Sequence, residues 1–209
     1  MYLPDVEKNP NPQGDYAALI GMLSQSGAPV PQIMHLFAFK HEMTQHLREF
    51  THAVMRGPSP LTPAFRELIA AFVSTRNQCL FCSGSHIAVA AKLHEDRSVV
   101  DSVIADYHSA PIAESEKKLL GYLEKLTLAP STTTAADVRG LRESGWSDEA
   151  IYDAVTVCAM FNFYNRWVEG SGVQDMPAEG YAMSAERLAS IGYRGTNAGN
   201  GSEANDEGS

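Results

Sequence analysis

Apolar residues recur at helical spacing along almost the whole chain, while alternating Val/Ile/Thr-rich runs and Asn-Gly turns between apolar runs are missing. This pattern predicts an all-α protein. After a Pro/Asn/Gly-rich start, a helix is expected from Asp15 to Ser26, closed by Gly27, Pro29 and Pro31. A longer one is expected from Pro31 to Met55, where Ile33, Leu36, Phe37, Met43, Leu47 and Phe50 form an apolar stripe that Gly57-Pro58-Ser59-Pro60 stops. Thr62 followed by Pro63 reads as an N-cap with proline at the first helical position, opening a helix through Leu68, Ile69, Phe72 and Val73. Ser74 to Asn77 is expected to break it, with Asn77 capping the next helix from Gln78 to about Leu93. Further helices are expected over Glu95–Tyr107, Ala113–Leu128, Ala135–Glu143 and Ser147–Glu169, the last opening on the acid-rich Ser147-Asp148-Glu149.

Composition narrows the function classes. Of 209 residues, 44% are hydrophobic and 20% charged, an ordinary globular balance. Residues 1–194 are expected to form a single helical domain. The remaining 195–209 hold no large apolar residue and no base, and are expected to be a flexible acidic Gly/Asn/Ser-rich tail. With 16 basic residues against 25 acids the net charge is -9, and no basic stripe tracks phosphates, so nucleic acid and anionic membrane are poor partners. The start MYLPDVEKNPNP has neither a basic n-region nor an apolar h-region, and no stretch is long and apolar enough to span a bilayer. The expected location is the cytoplasm. In that reducing compartment, a close pair among only three cysteines points to catalysis or metal binding rather than a disulfide scaffold.

That pair lies in NQCLFCSGSH. On a helix, Cys79 and Cys82 are spaced i,i+3 and Cys82 and His86 i,i+4, so all three fall on one face, a geometry that allows a disulfide and a Cys-His contact. A first-turn position exposes a thiol to backbone N–H groups and the helix dipole, which favour the thiolate. Lowering a thiol pKa from about 8.5 to about 6 raises the thiolate fraction at neutral pH roughly 30-fold. A Brønsted slope of about 0.4 to 0.5 takes back about tenfold in nucleophilicity, so thiolate formation alone leaves only a few-fold gain. In an attack on peroxide, protonating the leaving oxygen is the step at which a general acid contributes roughly 10² to 10⁴. Glu67, twelve residues before Cys79, could be carried back towards His86 by two packed antiparallel helices. The same residues leave zinc open, with Glu67 or water as a fourth ligand, although no second knuckle is visible. Ser83 after Cys82 breaks the C-x-x-C-H pattern of covalent haem.

Glu67, Cys79, Cys82 and His86 together reproduce E-x11-C-x2-C-x3-H, and in this the chain resembles the alkylhydroperoxidase D-like group of the carboxymuconolactone decarboxylase superfamily. The flanking VMRGPSPL, RELIAAFVSTRNQCLFCSGSH and FNFYNRWVEGSGV are similar to its uncharacterised peroxidase-related subgroup. The resemblance implies an alkylhydroperoxidase D-like helical fold that assembles into homo-oligomers, with a redox dithiol at a helix N-terminus. It implies no cofactor, a peroxide substrate and a thiol or lipoyl-type reductant. By motif position Cys82 would attack, Cys79 would resolve the sulfenic acid, and His86 with Glu67 would relay protons. Phe81 departs from the pattern, standing where alkylhydroperoxidase D has another relay histidine. Superfamily decarboxylases lack the cysteine pair.

Other residues have plainer readings. Cys158 shares an apolar stripe with Ile151, Ala154, Val155 and Ala159 and is expected to be a buried structural thiol. Residues Phe161 to Trp167 are aromatic nearly all round a helix, so burial is expected and Asn162, Asn165 and Arg166 need polar partners. The other histidines (His35, His41, His46, His52, His94, His108) form no tight cluster. The expectation is a thiol-dependent peroxidase. A general dithiol–disulfide oxidoreductase and a non-catalytic metal-binding or redox-sensing oligomer stand as alternatives.

Overall fold

The computed structural model describes residues 1–194, and among these it is entirely helical. The expected tail, 195–209, lies outside the described residues. In chain order the helices are α1 (Pro4–Glu7), α2 (Gly14–Ser26), α3 (Ile33–Phe39), α4 (His41–Arg56), α5 (Pro63–Arg76), α6 (Leu80–His94), α7 (Arg97–Asp106), α8 (Glu114–Leu128), α9 (Ala135–Glu143), α10 (Asp148–Ser171) and α11 (Ala178–Ile191), with a 3₁₀ turn at Pro130–Thr132. Among the described residues no helix is long and apolar enough to cross a membrane.

The centre of the molecule is α5. Ten consecutive residues, Phe65 to Ser74, are buried on it, because α6, α8 and α10 pack against different sides of the helix. Its start is as the sequence predicts: Thr62 accepts a hydrogen bond from the Phe65 N–H at 3.1 Å, with Pro63 at the first helical position. Such a cap is worth about 1 kcal/mol. Leu68, Ile69 and Phe72 fill the main core together with Leu119, Leu120 and Leu123 of α8 and Ala154 and Val157 of α10. Ser147 caps α10 by accepting from the Ala150 N–H at 3.1 Å.

Three expectations are corrected. The helix expected over Pro31 to Met55 is two, α3 and α4, broken at Lys40 (φ -127°, ψ 65°). The Thr44 hydroxyl donates to the Phe37 carbonyl at 2.6 Å, satisfying an acceptor at the end of α3. Asn77 ends α5 rather than capping α6, whose N-cap is Cys79. Glu95 is the left-handed end of α6 (φ 57°), and Asp96 caps α7 by accepting from the Ser98 N–H at 2.8 Å. Beyond the helices expected, α1 and α11 are additional, and α11 packs across α6.

The turn between α5 and α6 is tight. Gln78 adopts φ 58°, and the Cys79 N–H donates to the Ser74 carbonyl at 3.0 Å. A left-handed non-glycine residue costs about 1–2 kcal/mol and needs support from its surroundings. A polar ladder from α10 meets that need. The Asn77 side-chain amide donates to Asn165 Oδ1 at 2.9 Å and to Asn162 Oδ1 at 3.1 Å, and Asn165 Nδ2 donates to Ser74 Oγ at 3.0 Å.

Candidate active site

Cys79 and Cys82 hold the N-cap and third positions of α6, so Cys79 precedes the helix instead of sharing its face. Both are free thiols, Cys79 fully buried and Cys82 nearly so. The Cys79 thiol is pushed far above the ordinary range, first by its hydrogen bond to Cys82, then by burial and by the charge Cys82 would carry. Cys79 is therefore the thiol that keeps its proton. Only Cys82 of the two lines a cavity of about 90 Å³; Cys79 lies behind it among Leu36, Phe81, Val168 and Val173.

One turn further along α6, His86 lines the same cavity, its ring edge-on to Phe161 at 4.4 Å between centroids. Packing of α6 on α5 brings Glu67 under it: His86 Nδ1 lies 2.7 Å from Glu67 Oε2. A carboxylate can only accept, so Nδ1 carries the proton and donates, which leaves Nε2 as the nitrogen that exchanges protons. Glu67 is completely buried, and its other oxygen is also paired. Arg56 Nη2 lies 2.7 Å from Oε1, and the Tyr193 hydroxyl donates to Oε1 at 2.8 Å. Burial by itself would raise the Glu67 carboxyl; the hydrogen bond and charge of His86, then Arg56 and Tyr193, outweigh it and hold the group below its usual value. Tyr193 is held as the neutral phenol, first by burial and then by the Glu67 charge.

Neither Arg56 nor Tyr193 was expected from the sequence. Arg56 comes from the last turn of α4 and also donates to the Leu188 carbonyl at 3.0 Å, tying the end of α11 to the site. Gly192 (φ 68°, ψ -144°) then turns the chain after α11, and a Cβ there would press on Arg56 and His52 at 2.9–3.0 Å. That turn delivers Tyr193 onto the carboxylate. A buried glutamate needs more than one donor, and this requirement is the signal that could have prompted a search for Arg56.

Phe81 is buried beside Cys82, 6.3 Å between centroids from Tyr181 of α11. It offers no proton at that position. Cys158 is buried away from this site, with its sulfur 3.3 Å from Thr127 Oγ1. Asn162 and Asn165 hold the cysteine turn, and Arg166 donates back to Asn162. Among the described residues no three His, Cys, Asp or Glu side chains gather so as to hold a metal ion.

Residues 41–125, from the start of α4 to near the end of α8, match the family model of the carboxymuconolactone decarboxylase family. Among solved structures, the chain is similar to an uncharacterized peroxidase-related protein from Silicibacter sp. TM1040, with 27% identity and a TM-score of 0.71 over 82% of this chain and 89% of that one. It is similar to an alkylhydroperoxidase AhpD core, an uncharacterized peroxidase-related protein from Ralstonia eutropha JMP134, with 27% identity and a TM-score of 0.69 over 82% and 90%. The debrominase Bmp8 shares the fold at 17% identity, with a TM-score of 0.65 over 85% of this chain and 96% of that one, so the fold also carries another activity. No curated protein matches the chain by sequence. Residues 41–125 thus resemble the carboxymuconolactone decarboxylase family, and the fold of the chain is that of the alkylhydroperoxidase D-like, peroxidase-related proteins.

Proposed function

We propose that the protein is a thiol-dependent peroxidase working through a Cys79–Cys82 dithiol/disulfide cycle. The observation that carries this reading is the cavity that presents Cys82 beside His86, with Nδ1 of that histidine anchored on buried Glu67 and the free thiol of Cys79 buried behind Cys82. The Cys82 thiolate attacks the terminal oxygen of a hydroperoxide. The O–O bond breaks, its electron pair leaves on the alkoxide or hydroxide, and His86 Nε2 hands that oxygen a proton. Glu67 steadies the imidazolium from which the proton comes, and Arg56 and Tyr193 keep Glu67 ionised and in place. Cys82 is now a sulfenic acid. Cys79 then gives up its proton and attacks the Cys82 sulfur, water leaves, and the disulfide forms. An external dithiol, a thiol or lipoyl-type donor, returns two electrons and two protons to close the cycle.

Because Phe81 offers no proton, His86 carries the relay on the Cys82 side alone. The test is a titration of free thiols on the reduced protein with one equivalent of peroxide. The expected result is loss of two thiols in wild type, no fast phase in Cys82→Ser, and a trapped sulfenic acid in Cys79→Ser. If both thiols survive peroxide but exchange readily with a small disulfide, the protein is a general dithiol–disulfide oxidoreductase instead.

A further inference from the structure

The lining of the cavity at Cys82 is in part apolar and in part cationic. Ile33, Met34, Phe37, Phe161 and Leu188 supply the first. The second comes from Arg48 and Arg187, and among the described residues no carboxylate lines this cavity. A second cavity, of about 180 Å³, shares Tyr16, Arg48, Arg187 and Tyr193 with it, which places both guanidinium side chains on the common wall.

The two arginines are not equivalent. Arg48 Nη1 is spent on Asp15 at 2.6 Å, although its buried Nε has no partner among the described residues. Half-buried Arg187 makes no ion pair among the described residues: the adjacent Glu186 is paired with Lys92 at 2.7 Å, and Asp15, which lines the second cavity, is paired with Arg48. Burial raises the Tyr16 hydroxyl, and Arg187 opposes that more strongly than Arg48 does, so the Arg187 charge lies close to the shared wall. A partly desolvated guanidinium on an apolar cavity is costly until an anion meets it, and its planar fork matches a carboxylate.

We propose that this cavity takes hydroperoxides of small carboxylic acids, the carboxylate held by Arg187 with Arg48 beside it, and the hydroperoxy group at Cys82. This rests on the peroxidase reading and adds its substrate class. A volume of about 90 Å³ is the share of about three waters, enough for the hydroperoxy group and a few carbons against Phe37 and Phe161. The carboxylate end then falls at the shared wall. Hydrogen peroxide would leave both the apolar lining and the guanidinium unused.

The experiment compares rates of Cys79–Cys82 oxidation by 6-hydroperoxyhexanoate, its methyl ester and tert-butyl hydroperoxide. A charge-assisted pair between carboxylate and guanidinium gives the acid an expected preference over the ester of about 10- to 100-fold in kcat/KM. Arg187→Gln should bring that ratio near one, and Arg187→Lys should keep part of it. Unreactive hexanoate should compete with the acid in wild type and not in Arg187→Gln. If all three hydroperoxides are consumed and the acid-to-ester ratio is near one in wild type, this inference falls and the peroxidase reading stands. If none is consumed, both fall.

Discussion

Replacing Glu67 by glutamine keeps the shape of the side chain and removes the charge at the centre of the site. Three groups face that charge: His86 Nδ1 at 2.7 Å, Arg56 Nη2 at 2.7 Å and the Tyr193 hydroxyl at 2.8 Å. Breaking a buried ion pair from one side costs about 3–5 kcal/mol, chiefly because the surviving charge is left unpaired. Arg56 retains the Met55 and Leu188 carbonyls, at 2.9 and 3.0 Å, so the lower end of about 3 kcal/mol applies. For a chain of this length each kcal/mol moves Tm by about 2–4 °C, which predicts a fall of about 6–12 °C in a far-ultraviolet circular dichroism melt at neutral pH. The pH dependence has a definite sign. The folded pKa of Glu67 lies below its unfolded value of about 4.3, so its contribution is fully present above that value and is lost as pH falls through the folded pKa. The gap between wild type and Glu67→Gln should therefore close in acid. In stopped flow, Cys82 oxidation should slow by about 10²-fold or more if the relay operates. A melting shift under about 2 °C would refute the energetic argument, and an unchanged oxidation rate would refute the relay.

Three further substitutions probe what holds the site. Tyr193→Phe removes one donor to the carboxylate and should cost about 1.5–3 kcal/mol in urea unfolding; an unchanged midpoint would show that the hydroxyl bond carries no weight. Asn165→Leu strips Ser74 and Asn77 of their shared partner, with an expected loss of about 1–3 kcal/mol and slower disulfide closure between Cys79 and Cys82; closure at the wild-type rate would show that the turn holds without the ladder. At Gly84 a Cβ would come within 2.7 Å of the Tyr181 ring, so Gly84→Ala should loosen α11 and speed limited proteolysis there, with Tyr181→Ala restoring wild-type resistance in the double variant. Equal proteolysis of Gly84→Ala and wild type would show that the ring moves aside freely.

The parts of the fold legible in the sequence are those fixed by short-range chemistry. Thr62-Pro63 and Ser147-Asp148-Glu149 start their helices where expected, because a cap acts within three residues. The break at Lys40 was hidden, because the Thr44 hydroxyl that satisfies the Phe37 carbonyl also fits an uninterrupted helical stripe. Asn77 was misplaced for a related reason: asparagine suits either side of a helix boundary, and its tie to Asn162 and Asn165 on α10 decides the matter. Helix α11 has only Ala185 and Leu188 as buried large or small hydrophobics, too thin a stripe to stand out.

The same division runs through the site. Spacing alone singled out Cys79, Cys82 and His86, which sit within one turn and its helix, and the resemblance added Glu67. Burying the Glu67 carboxylate then creates a demand for donors that local sequence cannot meet. Arg56 answers from the end of α4 and Tyr193 from the turn beyond α11, and each is placed by tertiary contacts, Arg56 on the Leu188 carbonyl and Tyr193 by the left-handed turn at Gly192. The cationic wall follows the same logic, since Arg48 and Arg187 come from α4 and α11 and meet only because α11 packs over α6. The motif thus supplies the two cysteines and the histidine, while the long-range packing of α4 and α11 supplies the groups that pair with Glu67 and the two arginines of the cavity wall, on which the proposed proton transfer and substrate preference rest.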